Sequence, residues 1–401
     1  MKKSLVKIGL VGLGNVLNAL LGFAFLSVVA KTLDIESFGK YALLATLLVA
    51  VSKIIDFGTN SVYVADSISN EDDTLLDTFY TLKLILLLVS IPISLILLTL
   101  LKLNSPNIIL YFILGLFAYS INYTLNSFFQ KMQKFFPLVL LNTFPAIIKG
   151  IFAYLIFTNI LKINTEQAFS VFALSIFSSS ILWFFLPKEF KKIKFDFSKV
   201  KIYLKKSSPA GISQLIFEGW PSISNAIAKI AQDFSQVGIF SIAEKIANIL
   251  QLGAISIFTI LLPKNAYAKK HNEKYDTKEV FVISILILIM AFFGIFASRF
   301  FISDFFEDKF AESLPLLGFL IFASAFTSIH NFMENYFYIE NKTNYIMYIN
   351  LGKLFLFLVL SWILVPNLSL KGLSLANLIS AVTALFATIF FIRKNQKLKN
   401  I

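Results

Sequence analysis

The sequence predicts an all-α polytopic membrane protein of about twelve transmembrane helices, and three observations carry that prediction. First, 57% of the 401 residues are hydrophobic, 45 phenylalanines among them, with a mean hydropathy of +0.77. A single soluble core of ordinary proportions cannot hide that much apolar surface. Second, the apolar residues fall into runs of about 20, long enough to cross a bilayer as helices. Third, lysines gather between the runs, as the rule that orients membrane proteins requires. That clustering explains the net charge of +13 without nucleic acid as a partner. The absence of cysteine excludes disulfides, thiolate metal ligands and thiol catalysis, and two histidines leave little for a metal site.

The runs lie at about 8–30, 40–64, 76–101, 107–130, 137–160, 166–187, 209–230, 236–262, 278–300, 312–338, 343–366 and 370–392. Met1-Lys2-Lys3 leads into the first without a small-residue cleavage site, so that run reads as a retained helix. With both termini cytoplasmic, inner loops and tails carry about 23 Lys and Arg against about 8 outside. One inner loop dissents, since Asp66, Glu71, Asp72, Asp73 and Asp77 make it acidic. No gap exceeds roughly 20 residues, which leaves no room for a soluble catalytic domain. Residues 188–206 form a basic joint between an N-lobe, 1–187, and a C-lobe, 207–401. In it Phe190, Ile193, Phe197, Val200 and Leu204 recur at helical spacing among lysines, which fits an amphipathic helix on an anionic cytoplasmic leaflet. Ile193, Phe195 and Phe197 also alternate as an extended segment would.

The two lobes echo each other. Setting Gly39 against Gly238 pairs Asp34 with Asp233, Phe38 with Val237 and Tyr41 with Phe240. Further on, Ser120-Ile121 matches Ser328-Ile329, Phe129 matches Phe337, Lys134 matches Lys342 and Asn142 matches Asn350. Six helices per unit bring both units into the membrane in the same sense, as parallel repeats.

Ser37-Phe38-Gly39-Lys40-Tyr41, Asp56-Phe57-Gly58 and the echo Val237-Gly238-Ile239-Phe240 resemble the polysaccharide transporter family that includes the O-antigen flippase Wzx. That family shares a superfamily with the lipid II flippase MurJ and the MATE drug exporters. The resemblance implies two six-helix lobes around a central cavity, alternating access, and no enzymatic step or cofactor. It implies a bacterial cytoplasmic membrane and movement of an undecaprenyl-diphosphate-linked oligosaccharide to the outer leaflet. Its implied partners are that cargo, membrane lipids, a polysaccharide polymerase and a chain-length regulator.

An ionised side chain at mid-bilayer costs about 3 kcal/mol, so charges inside the runs need a reason. Lys53, Lys149, Lys245 and Lys353 are candidate cavity cations that would offset the desolvation of a diphosphate. The only arginines, Arg299 and Arg393, sit at span ends, which favours a loose electrostatic guide over bidentate clamping. Ion coupling needs a carboxylate. Glu218 comes first, because it precedes Gly219-Trp220-Pro221, where proline removes a backbone hydrogen bond, and Asp56 comes second. The plainer reading of Asp56 is an ion pair with Lys53, three residues away on one face. Lys83 and Glu334, near span ends, are read as pairing or reaching the headgroups. Asn331, Asn335, Tyr345 and Tyr348 suit sugar hydroxyls and ring faces, while the plainer reading is an interfacial aromatic belt with polar helix-helix contacts. Gly12, Asn15, Ala19 and Gly22 form a small-residue packing seam, and His271 and His330 read as solvated and structural.

No Walker loop, zinc-protease pattern or nucleophile elbow occurs in the sequence. Two other functions remain open: ion-coupled export of amphiphilic drugs, and a polysaccharide polymerase or membrane glycosyltransferase. The second lacks the large outer loop such enzymes use.

Overall fold

The computed structural model describes residues 2–69, 74–249, 251, 277–340 and 342–399. Among them there is no strand. The helices are α1 (Lys2–Thr32), α2 (Ile35–Asp56), α3 (Thr59–Ser69), α4 (Thr74–Leu100), α5 (Pro106–Lys131) and α6 (Phe135–Phe157). They continue as α7 (Thr165–Ser175), which tightens into a 3₁₀ helix over Ile176–Phe185, the single turn α8 (Lys188–Lys191), α9 (Val200–Ala231) and α10 (Phe234–Ala247). The last three are α11 (Thr277–Phe306), α12 (Leu314–Ile339) and α13 (Thr343–Lys399).

Among the described residues, eight helical stretches are long and apolar enough to cross a membrane. One of them, Asn344–Asn395, holds two of the expected runs, because α13 breaks at Ser369 (φ 51°, ψ −135°). The chain reverses there so tightly that a Cβ on Gly372 would lie 2.5 Å from the Leu364 carbonyl oxygen, a place only glycine fits. Expected runs one and seven correspond to α1 and α9, and the eighth starts as α10 and passes into residues outside those described. α11 exposes Phe281, Phe292, Phe293, Phe296 and Phe300 along its length, a surface suited to lipid.

By their internal contacts the helices form two compact units, Met1–Ala226 and Ile227–Ile401. In the first, the middle of α2 is apolar and lies buried among α4, α5 and α7. α1 packs along α6, where a Cβ on Gly14 would sit 2.6 Å from Val139 Cγ1. The expected small-residue seam is thus carried by Gly14; Gly22 faces open space, and the side chains of Gly12 and Asn15 lie outside those described. In the second unit α12 packs against α10, α11 and α13.

The echo between lobes is visible as repeated local structure. The Asp34 carboxylate caps α2 by accepting from the Ser37 N–H at 2.9 Å, and Asp233 caps α10 by accepting from the Gln236 N–H at 2.9 Å. Phe38, Tyr41, Val237 and Phe240 are all buried behind these caps. Later, the Lys134 N–H donates to the Phe129 carbonyl at 2.9 Å, closing α5, and the Lys342 N–H donates to the Phe337 carbonyl at 2.8 Å, closing α12.

The basic joint is not one amphipathic helix. Within it only α8 is helical before Val200, and residues 192–197 form neither helix nor strand, with Ile193, Phe195 and Phe197 exposed. Tertiary anchors override the helical periodicity. Phe190 buries against Phe128, ring centroids 4.7 Å apart, its carbonyl accepts from the Tyr80 hydroxyl, and the Asp196 N–H donates to Thr81 Oγ1 at 2.8 Å. Lys206 on α9 meets Asp66 on α3 at 2.6 Å, so one of the joint's lysines pairs with one of the acidic residues.

Candidate functional site

The charged cluster of the first unit is organised by the end of α2. Phe57 and Gly58 both take positive φ, 36° and 71°, and stop the helix directly after Asp56. α9 crosses this turn at backbone contact. A Cβ on Gly58 would lie 2.6 Å from the Ser207 carbonyl oxygen, and one on Gly211 2.6 Å from the Phe57 carbonyl oxygen. Two helical turns beyond Gly211, Glu218 comes to face α2, with Oε1 3.5 Å from Lys53 Nζ.

Asp56 does not pair with Lys53. Its carboxylate lies 3.8 Å from Lys83 Nζ of α4, which is buried and donates to the Ile55 carbonyl and Thr59 Oγ1, each at 3.1 Å. A sealed ammonium needs a counter-charge more than the partly exposed Lys53 does, and α4 brings it to the C-terminal end of α2, where carbonyls are unsatisfied. Lys83 therefore does not reach the headgroups. Tyr123 of α5 joins the two ion pairs: its ring lies 5.0 Å from Lys53 Nζ and 5.9 Å from Lys83 Nζ. The Ser52 hydroxyl donates to the Val49 carbonyl at 2.7 Å, so across their 2.9 Å contact the Tyr123 hydroxyl donates to Ser52. The outcome is one sealed pair, Asp56 with Lys83, and one accessible pair, whose Lys53 and Glu218 side chains are 16% and 40% exposed.

The other expected cations are not brought to this cluster. Lys149 is half-buried on α6 with Nζ 5.2 Å from the Phe172 ring centroid. Nearby, α6 and α7 enclose a mostly apolar cavity of about 350 Å³ edged by Gln167 and Ser170. Lys245 is half-buried on α10 beside the buried Glu244. Lys353 is buried on α13 and donates to Thr327 Oγ1 at 3.2 Å.

The expected sugar contacts are scattered. Tyr345 stacks between Phe337 and Phe391 in an apolar cluster, Tyr348 is 62% exposed, Asn331 is half-buried, and the Asn335 side chain lies outside those described. His271 also lies outside them. Sequence reasoning expected Lys83 to pair or to reach the headgroups but did not name Asp56 as its partner, and it missed Tyr123. Lys83 was legible as the lone charge between Asp77 and Lys102, whereas the role of Tyr123 depends on which helix packs beside it.

Membrane-crossing helices in two contact units, with ion pairs held inside the first, are the construction of a polytopic membrane protein. Solved structures agree along nearly the whole chain. An inward-facing multidrug resistance MATE transporter of the MOP superfamily matches with a TM-score of 0.68 at 16% identity, covering 96% of each chain. The lipid II flippase MurJ in an inward closed conformation matches with a TM-score of 0.74 at 14% identity, covering 96% of this chain and 87% of that one. The Vibrio cholerae MATE transporter VcmN matches with a TM-score of 0.61 at 12% identity, covering 99% and 97%. At such identities the shared property is the fold. The chain belongs to the family described as polysaccharide biosynthesis protein, which matches residues 4–264. Among curated proteins none matches it in sequence.

Proposed function

We propose that this chain is a flippase that moves an undecaprenyl-diphosphate-linked oligosaccharide, a unit of O-antigen or a related surface glycan, from the cytoplasmic to the outer leaflet. In this reading it spans a bacterial cytoplasmic membrane with both termini inside, and an outer polymerase with its chain-length regulator takes the product. Two facts support it: membership of a polysaccharide biosynthesis family, and a fold shared with a lipid II flippase. The observation that carries the reading is the accessible pair of Lys53 and Glu218. At 3.5 Å it is loose enough for an entering diphosphate to take the place of the carboxylate on Lys53. Glu218 then becomes free to accept a proton or cation, which couples cargo to an ion. The sealed pair of Asp56 and Lys83 holds α2, α3 and α4 in place meanwhile. Lys149 and Lys245 are the further cations of the path.

The test is a strain lacking the chain, with access of a glycan-cleaving enzyme measured on right-side-out spheroplasts. Accumulation of the lipid-linked oligosaccharide on the cytoplasmic side is expected. Accumulation of single units outside would mean that polymerisation has failed and would refute the reading, as would altered drug sensitivity without accumulation.

A further inference from the structure

Three polar groups of the second unit meet around one imidazole. His330 on α12 is 1% exposed. Its Nδ1 lies 2.8 Å from Thr388 Oγ1, and its Nε2 lies 3.1 Å from Glu334 Oε1 and 3.4 Å from Asn350 Oδ1. The neighbours' own protons are already committed. The Thr388 hydroxyl donates to the Ala384 carbonyl at 2.9 Å, so toward His330 it accepts. Asn350 Nδ2 donates to Glu334 Oε1 at 3.3 Å, which turns Asn350 Oδ1 toward the ring. Nδ1 therefore carries a proton, and the gap between Nε2 and two facing oxygens needs a second one. Without it, three atoms bearing lone pairs would face one another in a buried site, an arrangement that burial makes costly.

We propose that His330 and Glu334 form a proton-binding site that holds one proton between Nε2 and Oε1, and that releasing this proton to water loosens α12 from α13. The loaded pair is neutral overall, whether written as imidazolium with carboxylate or as imidazole with carboxylic acid, and neutrality suits its burial. The released pair carries one negative charge, and Nε2 then repels both oxygens. Asn350 and Thr388 lie on opposite sides of the break at Ser369, so the one imidazole ties α12 to both halves of α13. The charged group that acts on Glu334 from the facing helix is Lys353, which steadies the carboxylate after release. The packed helices also bring Glu244 and Lys245 on α10, and Arg299 and Asp304 on α11; among the described residues none of these hydrogen-bonds to His330 or Glu334. The site is separate from Glu218 and Asp56 and does not depend on the identity of the cargo.

The chain has only two histidines, so His271→Gln leaves His330 as the sole imidazole. The full chain, labelled with ¹⁵N-histidine and placed in lipid nanodiscs, can then be followed by ring ¹⁵N shifts across pH. Nδ1 is expected to stay protonated throughout, while Nε2 passes in a single one-proton step from a protonated or hydrogen-bonded nitrogen to a bare one. Glu334→Gln should move or abolish that step. A bare Nδ1 with a protonated Nε2 across the whole range would overturn the proposal, as would a step indifferent to Glu334→Gln. The tautomer decides without any variant at the site, so the test holds even where Glu334→Gln fails to fold, and its failure would leave the flippase reading untouched.

Discussion

Lys53 of α2 meets Glu218 of α9 at 3.5 Å, with the Tyr123 ring centroid 5.0 Å from the same ammonium. The contact joins two helices that also meet where Asn225 Nδ2 of α9 donates to Thr46 Oγ1 of α2 at 3.3 Å. A pair this exposed contributes little to stability, so its value lies in exchange. Glu218→Gln should change unfolding free energy by less than about 1 kcal/mol and reduce glycan export by roughly tenfold or more, about 1.4 kcal/mol in the transport barrier. Thermal unfolding in nanodiscs and surface glycan quantified in the same strain separate the two effects.

Lys83 and Asp56 should behave in the opposite way. Lys83→Met leaves a buried carboxylate without its ammonium and should destabilise by about 3–5 kcal/mol. Adding Asp56→Asn should restore part of the loss. A double variant no more stable than Lys83→Met alone would show that the ammonium is held by its carbonyl and hydroxyl contacts instead.

Gly211→Ala places a methyl group against the Phe57 backbone and should cost more than about 2 kcal/mol, with the α2 turn disturbed. Gly22→Ala meets nothing within 4 Å and should be neutral or stabilising by up to about 1 kcal/mol. Unfolding midpoints of the two variants, measured side by side, check the contrast.

Phe190→Ala should release the joint. Removing a buried phenylalanine costs about 3–5 kcal/mol, here from a cluster that includes Phe128, Tyr80 and Tyr63. Limited proteolysis should cut residues 192–197 faster in the variant, without faster cutting elsewhere.

The cap on α2 makes a pH prediction. The backbone N–H of Ser37 holds the Asp34 carboxyl below its ordinary value of 3.8. The cap's contribution is therefore fully present above the ordinary carboxylate pKa and is lost as pH falls through the lowered one. Asp34→Ala should cost about 1 kcal/mol at neutral pH, and the gap from the natural chain should close in strongly acidic solution.

The fold was legible because its signals are local or compositional. Hydropathy places the spans, and Asp34 and Asp233 recur because a helix cap is read from a few consecutive residues. The joint stayed ambiguous in sequence because two periodicities coexist there, and distant partners, Tyr80, Thr81 and Phe128, anchor it. Charge pairing was legible only within one helix. Spacing puts Lys53 beside Asp56, and His330 beside Glu334, but it is silent about what another helix delivers. Lys83 took Asp56, Glu218 took Lys53, and Thr388 arrives at His330 from 58 residues further on. The same silence covers the expected sugar contacts, of which Tyr345 spends its face on Phe337 and Phe391.

The pairing of Lys53 with Glu218 sets a timetable for synthesis. Glu218 follows Lys53 by 165 residues (218 less 53), so at about 5–20 residues per second it leaves the ribosome roughly 8 to 33 s later. Lys83, by contrast, follows Asp56 within roughly 1 to 5 s at that rate. The nascent first bundle can thus seal its inner pair almost at once, while Lys53 waits through the insertion of several more helices. Insertion machinery that keeps such a lysine wet, or lends it an anionic lipid, would have a long interval in which to act on this chain.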